Sequence, residues 1–331
     1  MKLPGFVDIQ VNGYMGKSYS SDSLTAEDVK ETMDLLRARG TSVFLPTIVT
    51  SPVEVFERNL SLIGGMIRRG DLGAHVPGIH VEGPFISPED GARGAHNRDW
   101  VRKPDPALFD KMWDWSEGTI KILTIAAEVE GSDTLCRHAV ERGVTVSLGH
   151  QMASDEDLHR LVDAGAGMIT HLGNGIPQTI DRHHNALFSG IANDRLSASV
   201  IADSHHVPEA LLKTILRGKT VSRCAVVSDA SPIAGFPAGT YPALNQDAVL
   251  APSGRLYNPE TGYLVGSSAT MMMCANHLAA VGFVSRDEII ELCYRNPLAL
   301  IRMKPSDVDL PNAVEYRDGS FHMIEGVWQS S

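Results

Sequence analysis

A (β/α)8 TIM-type barrel is the fold that the sequence predicts, and three observations predict it. Eight short apolar runs rich in Val, Ile and Thr alternate with longer amphipathic stretches along the 331 residues. No GxGxxG follows the first run, which removes the Rossmann alternative. Two of the runs end in histidine, His150 and His171, one strand–helix unit apart. Barrel enzymes hold their chemistry at the C-terminal ends of their strands.

The candidate strands are residues 5–11, 42–50, 76–82, 120–126, 144–150, 167–171, 197–202 and 224–228. Candidate helices at 25–39, 52–69, 106–117, 132–142, 154–164 and 208–216 lie between them. Ser132 and the run Ser154-Asp155-Glu156-Asp157 are start signals, because a short side-chain oxygen satisfies an orphan amide of the first turn. Arg39-Gly40 and Arg142-Gly143 are stop signals, a cation followed by the residue that accepts φ > 0 freely. Three segments interrupt the alternation. Residues 86–105, polar and rich in Gly, Pro and Arg, are expected to form an active-site loop. Residues 241–263 carry Pro-Ser-Gly and Asn-Pro-Glu turn signals and predict a hairpin flap. Residues 313–328 alternate around Asp318-Gly319 and predict a terminal hairpin. Residues 285–303 predict a last helix, capped by Ser285, with Ile289, Ile290, Leu292 and Cys293 on one face. Met271-Met272-Met273 opens another helix and reads as core filler. The domain reading is a catalytic barrel over 1–305, with the flap at about 241–263, and a hairpin tail over 306–331.

Composition narrows the function. The chain has 43% hydrophobic residues, enough for a large core. Its 29 Lys and Arg face 40 Asp and Glu, a net charge of −11. That balance argues against nucleic acid and anionic membrane as partners. No apolar run reaches the ~18 residues of a membrane span. Cys136, Cys224, Cys274 and Cys293 form no CxxC pair and sit among apolar residues, as small core residues of a reducing compartment do. The N-terminus has no signal-peptide core, so the expected location is cytoplasmic.

The polar residues at the strand ends suggest a metal site. Glu82 follows His80 and Val81 at the end of strand three, and Asp229 follows strand eight. Alone, Glu82 could be a salt-bridge partner and Asp229 a turn cap. Beside His150 and His171, Glu82 completes one carboxylate and two imidazoles, a catalytic zinc shell with an open position. Asp229 is then placed to take a proton from water at that position. His80 reads as a packing residue or a support for the ligands.

Eight motifs then fall in one order: Pro4-Gly5-Phe6-Val7-Asp8-Ile9-Gln10-Val11-Asn12-Gly13, His80-Val81-Glu82-Gly83-Pro84-Phe85, Gly94-Ala95-His96-Asn97, Leu148-Gly149-His150, Thr170-His171-Leu172-Gly173-Asn174, Ile201-Ala202-Asp203 with His206-Val207, Val227-Ser228-Asp229-Ala230, and Leu264-Val265-Gly266-Ser267. In these the chain resembles the N-acetylglucosamine-6-phosphate deacetylase family, a branch of the amidohydrolase superfamily. The resemblance implies a barrel of the metal-dependent amidohydrolase kind and hydrolysis of an N-acetylated amino sugar, a small molecule, to acetate and the amine. It implies one divalent ion, expected to be zinc, on Glu82, His150 and His171. Asp229 would carry the proton to the leaving amine and His96 would polarise the acetyl carbonyl. Asn174, the backbone amide of Gly175 and His206 would contact the sugar and its distal group. Most of the superfamily carries His-x-His on strand one, where this chain has Gln10 and Asn12. Neutral amides are poor ligands for such an ion, so a single-metal site is expected.

The chain also departs from the family. The family's small β-sandwich is expected to be absent or vestigial, because the barrel is read as starting at the first residues, with only the tail to represent the sandwich. The family arginine that reaches the sugar phosphate, often across a homodimer interface, falls opposite His184, with Arg182 two residues away. Histidine is a weaker, pH-dependent phosphate partner than a fixed guanidinium fork. Gly173 stands where an aromatic residue is common, which predicts a roomier pocket. Two alternatives follow: an amidohydrolase for another N-acyl or cyclic amide with no phosphate requirement, and a non-catalytic sugar-binding relative. GxSxG is absent, so a serine hydrolase is disfavoured.

Overall fold

The computed structural model describes residues 1–243 and 246–328. Eight parallel strands form its central sheet: β1 (Phe6–Val11), β2 (Thr41–Val49), β3 (Ile79–Glu82), β4 (Ile120–Ile125), β5 (Thr145–Leu148), β6 (Met168–Ile169), β7 (Ser197–Ile201) and β8 (Cys224–Val227). Each pairs with its neighbour in sequence. The circle closes where the Asp229 amide donates to Gln10 O at 3.1 Å and the Asn12 amide to Ala230 O at 2.8 Å. The strands are buried along almost their whole length, as expected of strands covered on both faces.

The closing seam has a polar fastener. Asp8 is buried in β1, and the Ser228 amide and hydroxyl and the Gln10 amide all donate to its carboxylate. Burial pushes the Asp8 carboxyl up to about 7, against those three donors. Replacing Asp8 with Ala leaves the Ser228 donors without an acceptor in the core. Unfolding in urea should show a loss of about 2–3 kcal/mol; a loss under about 0.5 kcal/mol would mean the seam does not depend on it.

The helices follow the capping logic of the sequence except at Ser132, which is the first residue of its helix and not the cap: Gly131, at φ +89°, precedes it, and the Ser132 hydroxyl donates to Ala126 O and leaves the first-turn amides alone. The helices are α1 (Ala26–Arg37), α2 (Val53–Arg68), α3 (Pro106–Trp115), α4 (Ser132–Glu141), α5 (Asp155–Asp163), α6 (Ala186–Ala192), α7 (Glu209–Gly218) and α8 (Met271–Val281). Thr25 with Asp28, and Ser154 with Asp157, form reciprocal capping boxes. Helix α6, between β6 and β7, was not anticipated. The expected helix over 285–303 is broken into α9 (Arg286–Ile290), a π-turn (Glu291–Arg295) and α10 (Asn296–Leu300). Pro297 lacks an amide and crowds the carbonyl four residues back, so the preceding turn widens.

The flap is a three-stranded antiparallel sheet of β9 (Gly239–Ala243), β10 (Gln246–Leu250) and β11 (Leu256–Tyr257). Within the spans expected for the flap and tail, residues 244, 245 and 329–331 lie outside the described residues. The tail forms the hairpin β12 (Val314–Arg317) and β13 (Ser320–Met323). Asp318 and Gly319 both have positive φ, +50° and +83°, as a two-residue hairpin turn requires. Lys2–Leu3 pairs antiparallel with Glu315 and Val314. The first residues therefore precede the barrel and add a third strand to the tail, which corrects the expectation that the chain opens directly on barrel strand one. Two residues are too few to give a strand signal, and their partner is some 310 residues away.

Candidate active site

Both histidines stand beyond their strands, since β5 stops at Leu148 and β6 at Ile169. The reason is local: φ is +50° at His150 and +31° at His171, and also +50° at Asp229 after β8. Left-handed backbone ends the ladder and turns these side chains over the barrel mouth. At His171 the turn is tied down by its own amide, which donates to Ser199 Oγ at 2.7 Å. Glu82, the last residue of β3, reaches the same point.

Glu82, His150 and His171 offer ligand atoms that all lie within 4.8 Å of one another, and all three residues are buried. His171 Nε2 is 3.0 Å from Glu82 Oε1 and 3.1 Å from His150 Nε2, and His150 Nε2 is 3.3 Å from Glu82 Oε1. Tetrahedral ligands at ~2.0–2.1 Å from an ion sit about 3.3 Å apart. His150 Nδ1 is 3.0 Å from Ala92 O. A carbonyl only accepts, so Nδ1 carries the ring proton and Nε2 presents a lone pair. The donor set therefore fits a divalent cation. Gly175, at φ +61°, packs behind His150: a Cβ there would lie 3.0 Å from Nδ1 and 3.1 Å from the backbone nitrogen.

The amides of strand one act as donors. Gln10 Nε2 donates to Glu82 Oε1 at 2.9 Å and to Asp229 Oδ1 at 3.1 Å. Asn12 Nδ2 donates to the same Asp229 oxygen at 2.7 Å. Both contacts fall on Oδ1, which leaves Oδ2 for a proton. Burial, and then the Glu82 charge, raise the Asp229 carboxyl to about 6. Burial also works against the Glu82 charge, but the two imidazoles outweigh it and hold Glu82 well below the usual range. A bound dication would pull both carboxyls further down.

His96 joins from the loop after β3. Its Nε2 is 3.2 Å from His150 Nε2, and its Nδ1 is 2.8 Å from Thr50 Oγ1. Burial above all depresses the His96 imidazole to about 3, so the ring is neutral. Thr50 thus holds one ring nitrogen, and Nε2 faces the cluster. His80 lies beneath: Nδ1 donates to Ile9 O at 3.0 Å and Nε2 meets Thr124 Oγ1 at 2.8 Å. It is a packing residue of the barrel interior.

Glu82, His150, His171, Asp229, Asn12 and His96 wall one cavity of about 530 Å³ at the C-terminal mouth. Asn174, Gly175 and His206 wall it too. His206 Nδ1 is 2.7 Å from Asp203 Oδ2, which fixes the ring through a carboxylate. Gly173 also borders it, without a side chain to fill the space. Arg182 and His184 are exposed on the loop before α6 and are not part of the wall. Sequence reading missed two residues here: Thr50, which anchors His96, and Arg255 of the flap. Their partners are remote in sequence, and neither carries a motif; only the flap's place after β8 pointed toward Arg255.

No protein-family model matches the chain. Individual proteins do. Human N-acetylglucosamine-6-phosphate deacetylase is 32% identical over 351 residues, covering 99% of this chain and 83% of that protein. The Bos taurus protein of that name is 33% identical over 315 residues, covering 91% and 74%. The chain belongs to the N-acetylglucosamine-6-phosphate deacetylase family. The crystal structure of N-acetyl-D-glucosamine-6-phosphate deacetylase from Mycobacterium smegmatis superposes with a TM-score of 0.84 at 27% identity, covering 96% of this chain and 86% of that one. A mutant of that mycobacterial protein has been solved in complex with N-acetyl-D-glucosamine-6-phosphate. An N-acetylgalactosamine-6-phosphate deacetylase of Escherichia coli O157:H7 is 29% identical over 300 residues, covering 90% of this chain and 77% of that protein. The deacetylase family membership agrees with the barrel and with a donor set at its mouth that could hold a metal ion. No helix among the described residues is long and apolar enough to cross a membrane.

Proposed function

We propose that this member of the deacetylase family hydrolyses the acetamide of N-acetylglucosamine 6-phosphate, giving acetate and glucosamine 6-phosphate. The observation that carries the reading is the convergence of Glu82, His150 and His171 beside Asp229 and His96 in one cavity. Glu82, His150 and His171 would hold the ion, which would supply Lewis acidity and activate water at neutral pH. Two imidazoles, one carboxylate and an open position favour zinc.

The chain's own groups do the rest. Asp229 Oδ2 takes a proton from the attacking water, whose oxygen bonds to the acetyl carbon. The C–N bond breaks, and Asp229 returns the proton to the leaving nitrogen. Gln10 and Asn12 hold its other oxygen still throughout. His96 donates from Nε2 to the carbonyl oxygen as negative charge builds there. Asn174, the Gly175 amide and His206 seat the sugar and its distal end, and all three border the cavity. Arg182 and His184 offer the phosphate a second contact if their loop closes on it.

Acetate release, measured with metal content, tests the reading. About one zinc per chain is expected, with turnover of N-acetylglucosamine 6-phosphate well above that of the unphosphorylated sugar. The galactosamine epimer belongs in the panel, because a relative carries that name. A metal-loaded protein that releases acetate from none of the three sinks the proposal. A second reading, another N-acyl substrate without phosphate, draws on the position of Arg182 and His184 outside the wall. Equal rates with and without phosphate would favour it.

A further inference from the structure

We infer that Arg255, on the flap, is the specificity-determining residue for the substrate's phosphate. The inference rests on the deacetylase reading above. Among the described residues that wall the cavity, Arg255 is the sole lysine or arginine. The wall also contains two carboxylates, Glu82 and Asp229. A sugar phosphate carries close to two negative charges near neutral pH. Entering this cavity, it needs a fixed positive charge apart from the metal cluster. A guanidinium supplies that charge in a fork that matches phosphate oxygens.

The flap holds Arg255 in place by its backbone. The Ala251 amide donates to Arg255 O and the Gly254 amide to Ala251 O, both at 2.9 Å, closing the turn between β10 and β11. Gly254 has φ +89°, a conformation other residues rarely take. Ser268 Oγ donates to Gly254 O at 2.7 Å, and His205 Nε2 donates to Ser253 O at 3.0 Å. His205 neighbours His206, so the turn bearing Arg255 is tied to the segment that brings His206 to the wall. The guanidinium lies 4.5 Å from the centre of the Tyr257 ring, and Nη2 donates to Gly262 O at 3.2 Å. Arginine has five N–H donors, and this contact uses one. Arg182 and His184, outside the wall, are the competing source of the phosphate contact.

The test compares wild type, Arg255→Ala, Arg255→Lys and Arg182→Ala/His184→Ala on N-acetylglucosamine with and without its 6-phosphate. In Arg255→Ala the ratio of the two kcat/KM values should fall about 10- to 100-fold, the loss of a charged hydrogen-bonded contact. KM for the phosphorylated sugar should carry the fall, and Arg255→Lys should recover part of it. Equilibrium binding of glucosamine 6-phosphate against glucosamine reads the same contact without turnover and should lose its preference to the same degree. A preference that survives in Arg255→Ala, or one that vanishes in Arg182→Ala/His184→Ala alone, overturns the inference and leaves the deacetylase reading standing. A metal-loaded wild type inert on both sugars overturns the deacetylase reading instead, and the binding arm then decides on Arg255.

Discussion

Asp229→Asn keeps its metal and loses turnover, by about 10²–10⁴-fold, the range for a positioned acid–base group. The substitution changes one atom. The asparagine carbonyl can stay on Gln10 Nε2 and Asn12 Nδ2, which now bond Oδ1 at 3.1 and 2.7 Å. The oxygen that would take the proton becomes an amide nitrogen, which holds no lone pair for it. Glu82, His150 and His171 are untouched, so zinc content measured by atomic emission should equal that of wild type. Turnover within about threefold of wild type would remove Asp229 from the chemistry. Loss of the metal along with turnover would assign it to the ion instead.

Glu82→Gln acts on the ion itself. The carboxylate is the one charged ligand of the cluster and meets both imidazoles at 3.0 and 3.3 Å. An amide of the same shape is a weak ligand, and it also sets a neutral group against the Gln10 donor at 2.9 Å. Zinc per chain should fall to a small fraction of wild type, with acetate release falling at least as far. Stability gives an independent readout. A ligand present at ~100 times its dissociation constant stabilises the fold that binds it by about 2.7 kcal/mol. Wild type should therefore gain about that much on adding zinc after chelation, while Glu82→Gln gains little. Equal gains in the two proteins would place the ion elsewhere.

Much of this molecule was legible before its coordinates. The eight barrel strands could be read because strands covered on both faces need unbroken Val, Ile and Leu runs. Ser154 and Ser285 could be read as starts because a cap is a local event spanning three residues, whereas Ser132 misled because its hydroxyl is drawn to Ala126 O. The ligand candidates were visible because strand ends fix where side chains gather. What stayed hidden is what depends on distant partners. Helix α6 has seven residues and no apolar period to announce it. The Lys2–Leu3 strand exists through pairing with the tail. Gln10 was read as a lost ligand; its work as a donor bridging Glu82 and Asp229 needs both carboxylates placed in space. Arg255 reaches the cavity through a flap whose fold no short motif encodes.

The left-handed backbone at His150, His171 and Asp229 sets stability against usefulness. Each such residue raises the energy of the folded chain by about 1–3 kcal/mol, and glycine would relieve it. A directed-evolution campaign that selected survivors of heating under a chelator, where the ion adds nothing to stability, with no demand for turnover, would therefore drift toward glycine at these three sites. Its winners would be sturdier barrels with nothing left to catalyse.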